Sequence, residues 1–355
     1  MTSSSNRTAL DNVRVFDGRT LSDPTTVVID GAVIGTDDGG AQRLDAGGTI
    51  LLPGFIDSHV HVNDAETPAK LAAFGVTTAL DMACPPDTVA PLRNTVGTCD
   101  IRSAGLAIVG PEGMHSRFLG EEAIIHSPDQ AEPMVAQRHS TGSDYIKLVL
   151  EAPGDGGPDP ASAKAVVAEA HARNLRVIAH AATVGAYTLA VDAGVDFITH
   201  IPVGNLLPST DIARIAAESR VVIPTLTMME AMTAFRGVPE SFPAALDNVR
   251  ALHTAGVPLL AGTDANASTG VPINPTFGES LHHELELLVR SGLSPAEALN
   301  AATSLPAHHF ALTDRGSITP GLRADLVLIE GDPLSNITAT RSIRQVWSAG
   351  IPVGR

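Results

Sequence analysis

The sequence predicts an α/β protein, a (β/α)8 TIM barrel carrying a small β-sandwich domain built from both chain termini. Three observations lead there. Eight short apolar or β-branched runs alternate with helical stretches through the middle of the chain, the rhythm of a closed parallel sheet. Both chain ends instead read as short alternating strands between turns, with no helical pattern. A barrel takes about 250 residues, and a chain of 355 leaves about 100 for those ends.

The runs are 51–62, 75–82, 106–110, 145–151, 176–181, 196–201, 221–226 and 257–264. Between them, ASAKAVVAEAHARN (161–174) and VGAYTLAVDAG (184–194) place apolar residues at helical spacing. Asn174, Gly194 and Gly256 stand where helices close. The barrel is assigned to 53–314. Residues 8–52, with VRVFDG, TTVVIDGAVIG and GGTILLPG, and residues 315–355, with GSITPGLRADLVLIEGDPL and IRQVWSAGIPVGR, are each too short for a stable sandwich. They are expected to join into one composite β domain.

Composition narrows the function. Hydrophobic residues make up 44 %, but aromatics only 3 %, so the core rests on Ala, Val, Leu and Ile. Twenty-three basic against 39 acidic residues leave a net charge of −16, which disfavours nucleic acid and anionic membranes as partners. Cys84 and Cys99 form no CxxC pair, so a metal site must use histidine and carboxylate. The opening MTSSSNRTALDN lacks the basic-then-apolar pattern of a secretion signal, and no apolar run nears the ~20 residues of a membrane span. The expectation is a cytoplasmic protein acting on a small-molecule substrate, with a homo-oligomer left open.

Functional residues of a barrel project from the C-terminal ends of its strands. The first run ends Asp57-Ser-His59-Val-His61, and strand alternation puts both imidazoles on one face. The fourth carries Lys147, the fifth His180, the sixth His200 and the eighth Asp264. Any one of these has a bland reading, since 13 histidines make a chance HxH unsurprising and an aspartate can cap a loop. Their convergence on one mouth points to a metal site. Lys147 sits within the apolar Tyr-Ile-Lys-Leu-Val-Leu, where an unpaired ammonium is costly. Either it pairs with a buried acid such as Asp264, or it is converted into an anion that binds metal. Asp57 either orients the first histidine pair or is a turn residue. One of His282 and His283 is a candidate to support a ligand from behind. His115, Tyr187 and Met228 are candidate substrate contacts. The segment TMMEAMTAFRGVPESFP (227–243) reads either as a lid over an apolar substrate or as a helix packed on the rim.

Together these residues resemble the metal-dependent amidohydrolase superfamily, in its branch with two metals and a carboxylated lysine, particularly its imidazolonepropionase-like and prolidase-like members. The resemblance runs through PGFIDSHVH (53–61), GVTTALDM (75–82), YIKLV (145–149), IAHA (178–181), TH (199–200), AGTDA (261–265), SPAEALNAATSLPA and GSITPGLRADLVLIEGDPL. It implies that His59, His61 and Asp264 hold one divalent ion and His180 and His200 the other. Lys147, carboxylated by CO2, would bridge both together with a hydroxide. Zn2+ is the first expectation, with Mn2+, Co2+ or Ni2+ also suited to such ligands. Asp264, Lys147 and His200 would carry the chemistry, with Asp264 as the general base, in hydrolysis of an amide or cyclic-amide C–N bond. Ala182 stands where prolidase-like members place a tyrosine, and Ile-Thr-His-Ile-Pro replaces Glu-His-Gly; both count against a dipeptide with a free carboxylate. The competing readings are an esterase or lactonase on the same site, a mononuclear deaminase-like centre, and a non-catalytic barrel relative.

Overall fold

A computed structural model describes residues 7–354 except Gly270. Residues 1–6 of the stretch read against a secretion signal lie outside the described residues. The described residues form fifteen strands: β1 (Arg7–Val15), β2 (Thr25–Asp30), β3 (Val33–Gly35), β4 (Gln42–Asp45), β5 (Ile50–Pro53), β6 (Phe55–Val60), β7 (Val76–Asp81), β8 (Asp100–Ser103), β9 (Ile146–Val149), β10 (Val177–His180), β11 (Phe197–Thr199), β12 (Val221–Ile223), β13 (Leu326–Ile329), β14 (Ile343–Ser348) and β15 (Ile351–Pro352).

The two chain ends share one sheet of order β15-β14-β13-β5-β1-β2-β3, with β4 also on β1. β13 runs antiparallel to β5, Leu326 facing Pro53 and Ile329 facing Ile50. All eight strands connect through hydrogen bonds into one sheet, and its two halves face a common core, Leu10, Val27, Ile29 and Ile34 from one and Leu51, Leu326, Leu328 and Trp347 from the other. β1 is long enough to serve both halves: Thr8–Asp11 pairs with β4 and Arg14–Val15 with β5. Between them a register shift separates Leu10 from Val13, with Asn12 at φ 55°, so the strand bends without breaking.

The central region is built from parallel ladders. β6-β7-β8 form one and β9-β10-β11-β12 the other, with helices between consecutive strands. Single parallel bridges link them: Ile108 to Leu148, Val222 to Leu259, and Val60 to Ala265. Regular pairing does not run through the third and eighth segments, where the ladder gives way to isolated bridges. The apolar run 51–62 is divided at Gly54 between the terminal sheet and the parallel layer. A Cβ at Gly54 would collide with Thr77 and press on Asp325. The run at 106–110 begins earlier than expected, since β8 occupies Asp100–Ser103.

Helix ends follow local chemistry. Asp159 accepts from the Ala161 and Ser162 amides ahead of helix Pro160–Ala172, and Ser294 with Glu297 forms a capping box on Pro295–Ala301. Gly194 closes helix Val184–Ala193 at φ 90°. None of the described helices is long and apolar enough to cross a membrane.

The two regions are fastened by buried polar groups. Arg315 (4 % exposed side chain) reaches Asp100 at 2.9 Å and Thr78 at 2.8 Å, tying the C-terminal segment to β7 and β8. His282, on helix Glu279–Arg290, lies 3.1 Å from both the Phe74 carbonyl and the Thr340 hydroxyl. Burial pushes its pKa down to about 4. The unfolded chain, with an ordinary histidine near 6.5, therefore binds the proton first as pH falls. Stability contributed by neutral His282 is complete above about pH 6.5 and is lost on descent towards pH 4. Urea unfolding across this interval is expected to show a smaller pH slope in His282→Gln than in the wild type; equal slopes would exclude His282 as the source.

Candidate metal centre and catalytic pocket

The parallel segments bring His59, His61, Lys147, His180, His200 and Asp264 to one place. Strand alternation in β6 keeps His59 and its neighbour-but-one His61 on a common side. Their Nε2 atoms lie 3.2 and 3.0 Å from the same oxygen, Oδ1 of Asp264. The ring of His200 lies 5.0 Å from that of His59 and 4.3 Å from that of His180, and its Nδ1 is 4.0 Å from Asp264 Oδ2. Candidate donor atoms of His59, His61 and Asp264 all fall within 4.8 Å of one another, a span one cation can bring together. Segment eight comes this close because Gly262 has no side chain. A Cβ there would stand 3.0 Å from His59 N and Cβ and 2.5 Å from Ile223 Cγ2.

Hydroxyls orient the imidazoles. Thr199 Oγ1 meets His59 Nδ1 at 2.5 Å, and Thr225 Oγ1 meets His200 Nδ1 at 2.8 Å. In each ring Nε2 is thereby left as the outer nitrogen. His59 Nε2 and Lys147 Nζ are buried without a hydrogen-bond partner; the nearby Asp264 oxygen is close to His59 Nε2 but is not aligned for a hydrogen bond. His200, Thr225 and Asp264 adopt φ values of 75°, 47° and 57°, a conformation that costs a non-glycine residue about 1–3 kcal/mol. Two contacts hold it. The Tyr187 hydroxyl donates to the His200 carbonyl at 2.6 Å, and Asp57 braces segments one and eight. Asp57 accepts from the backbone amides of His59 and Thr263, each at 3.1 Å, and from the Thr263 hydroxyl at 2.7 Å.

Burial sets the electrostatics. It lowers the Lys147 amine to about 7, although Asp264 and Asp81 pull the other way. It lowers His59 to about 3, assisted by Lys147, and holds His180 and His200 well below the ordinary range. These three imidazoles are neutral at physiological pH and keep a lone pair for a metal. Asp264 would be raised by burial, but His59, His61 and His200 outweigh it and keep the carboxylate ionised. Burial pushes Asp57 up to about 7.

Other candidates fall in different places. His115 enters the cluster: its ring is 4.6 Å from that of His180, and Nδ1 is 3.2 Å from Glu151 Oε1. Tyr187 is fully buried with its hydroxyl committed to His200, so it supports the backbone and does not face a substrate. Met228 is buried in helix Leu226–Phe235. Glu284 accepts from the Leu226 and Thr227 amides at the start of that helix, at 2.9 and 2.7 Å, so the methionine-rich stretch is packed on the rim. His282 and His283 do not stand behind a ligand. The first binds Phe74 and Thr340, and the second lies 2.6 Å from Glu230. Thr199 enters the sequence reading only within TH (199–200), with no role of its own, and Thr225 not at all; its place two residues beyond β12 is its only signal.

Residues 50–353 match the amidohydrolase family. An imidazolonepropionase of Salinispora arenicola is 27 % identical over 365 residues, covering 88 % of this chain and 86 % of that protein. Among solved structures, a Xaa-Pro dipeptidase with bound methionine in its active site superposes with a TM-score of 0.85 at 21 % identity, over 98 % of this chain and 100 % of its own. A putative prolidase from Bifidobacterium longum gives 0.82 at 25 % identity, over 99 % and 96 %. With six candidate ligands gathered in one cluster and a match that spans nearly the whole length, the chain belongs to the amidohydrolase family and is a hydrolase acting on carbon–nitrogen bonds.

Proposed function

We propose that the eight parallel segments form a closed (β/α)8 barrel and that the protein is a metal-dependent hydrolase. Its reaction is cleavage of the C–N bond of an amide or cyclic amide in a small, partly apolar molecule. The observation that carries this reading is the buried Lys147 amine with no hydrogen-bond partner, in the electrostatic reach of His59, His180, His200 and Asp264. An isolated ammonium is a poor occupant of such a place. A pKa near 7 leaves a large share of the amine uncharged at neutral pH. That form can add to the carbon of CO2 and, on losing a proton, become a carbamate anion.

The donor set fits divalent cations, since neutral imidazole and carboxylate suit zinc and also manganese, cobalt and nickel. His59, His61 and Asp264 would hold one ion, His180 and His200 a second, and carboxylated Lys147 would serve both. When bound, the ions acidify water and polarise the scissile carbonyl. The chain supplies the remaining steps. Asp264, ionised and within reach of His59, His61 and His200, accepts a proton from the attacking water and returns it to the departing nitrogen. Thr225 and Tyr187 fix His200 on its side of the pocket. His115, steadied by Glu151, is the group best placed to meet the substrate beside His180.

Elemental analysis of protein loaded with excess divalent metal is expected to find about two ions per chain, as in other two-metal hydrolases. Lys147→Ala should fold normally, retain fewer ions and lose most turnover. One ion per chain at full activity would replace this reading with a mononuclear one, and normal turnover in Lys147→Arg would rule out a carbamate.

The role of Asp264 separates amide from ester chemistry. Asp264→Asn cannot accept and return a proton, and an amine leaves only when protonated. Turnover of an amide is expected to fall about 10²–10⁴-fold, while a nitrophenyl ester, whose leaving group needs no proton, should lose much less. Metal content is measured in the same samples. Equal losses on both substrates at unchanged metal content would show that Asp264 does not protonate the leaving group.

A further inference from the structure

A cavity of ≈ 540 Å³ lies at the opposite end of the parallel segments from the histidine cluster, a volume within the range of small-molecule sites. Tyr145 and Arg176, which immediately precede β9 and β10, line it together with Arg102, Asp144, Phe310 and Asp314. Its four charged side chains are not equivalent. Asp144 is paired with Arg93 at 2.5 Å and also accepts from the Ser103 amide at 2.7 Å. Asp314 is paired with Arg315 at 2.8 Å. Neither Arg93 nor Arg315 lines the cavity, so both acids are neutralised from outside. Arg102 is paired with Asp100, which Arg315 also reaches, so these two guanidiniums are balanced by Asp100 and Asp314. Arg176 is exposed and makes no ion pair among the described residues; its guanidinium stands 5.8 Å from the centre of the Phe197 ring. The cavity is therefore locally cationic in a chain of net charge −16.

Its other wall is aromatic. Phe310 stacks on Phe197 with ring centres 4.6 Å apart and planes 23° from parallel, and Tyr145 meets Phe310 edge-on at 5.5 Å. The Tyr145 hydroxyl is already within 2.9 Å of the Asp81 carbonyl and 3.2 Å of the Arg102 carbonyl, to which it donates. What it offers an occupant is its ring. A guanidinium without a carboxylate beside a flat apolar wall matches a ligand with one anionic end and a planar body.

We propose that this cavity is a second binding site, distinct from the histidine cluster, for a small aromatic carboxylate. Its carboxylate meets Arg176 and Arg102, and its ring lies against Phe310. The proposal stands apart from the metal reading, since none of its residues is a metal-ligand candidate. Phenylacetate is a suitable probe, titrated calorimetrically into the full metal-loaded chain. One saturable site per chain is expected, weakened by added salt. Loss of a charge-assisted contact in Arg176→Gln should weaken it about tenfold, and Asp264→Asn should leave it unchanged. Arg176 is exposed, so its substitution does not threaten the fold. The absence of saturable binding at millimolar phenylacetate would overturn the proposal. So would unchanged affinity in Arg176→Gln, or binding abolished by Asp264→Asn, which would place the probe at the histidine cluster.

Discussion

An amine that no protein group satisfies sits inside β9, and the surrounding architecture is arranged about that fact. Buried polar atoms normally find partners, yet Lys147 Nζ and His59 Nε2 are both orphaned within one cluster. Nearby hydroxyls of Thr199 and Thr225 spend themselves on the other imidazole nitrogens and leave the inward atoms open. The same low-dielectric setting that penalises an ammonium keeps the imidazoles neutral.

Rigidity completes this arrangement. His200 and Asp264 both occupy left-handed backbone conformations, which a loop would relax unless held. Tyr187 holds one from below through a carbonyl. Asp57 holds the other indirectly, by stapling the amides of segments one and eight. Neither residue touches the pocket with its functional group, yet each determines where a functional group points. Gly262 adds the complementary constraint, an absence of side chain that lets segment eight pass beside His59.

The parts legible in the sequence were those written as local pattern. The His-x-His spacing needs only strand alternation to put two rings on one side, His180, His200 and Asp264 each sit near the end of an apolar run, and Lys147 is the one charge inside another. The joining of 8–52 with 315–355 followed from what each end lacked. What stayed hidden depends on partners distant in sequence. Nothing local reveals that Thr199 serves His59, 140 residues earlier, or that Tyr187 turns inward to a backbone carbonyl. His282 resembled a support for a ligand because it lies on an acidic helix, but its partners are Phe74 and Thr340. The run 51–62 looked like one strand because both of its halves are fully buried in different sheets. The bend by which β1 serves both halves of the terminal sheet has no signature beyond a single asparagine.

That division at Gly54 also bears on how the chain matures. β5 and β6 are adjacent in sequence, but the antiparallel partner of β5 is β13, about 270 residues later. During synthesis at about 5–20 residues per second, one edge of β5 waits for roughly a quarter of a minute to a minute before its neighbour emerges. Throughout that interval a fully apolar edge, Ile-Leu-Leu-Pro, is open to strangers. Proline at its end, with no amide hydrogen to offer, limits how far a stray strand can extend along it. The terminal sheet thus acts as a late-closing clasp: its last strand can engage only after the whole parallel layer has left the ribosome.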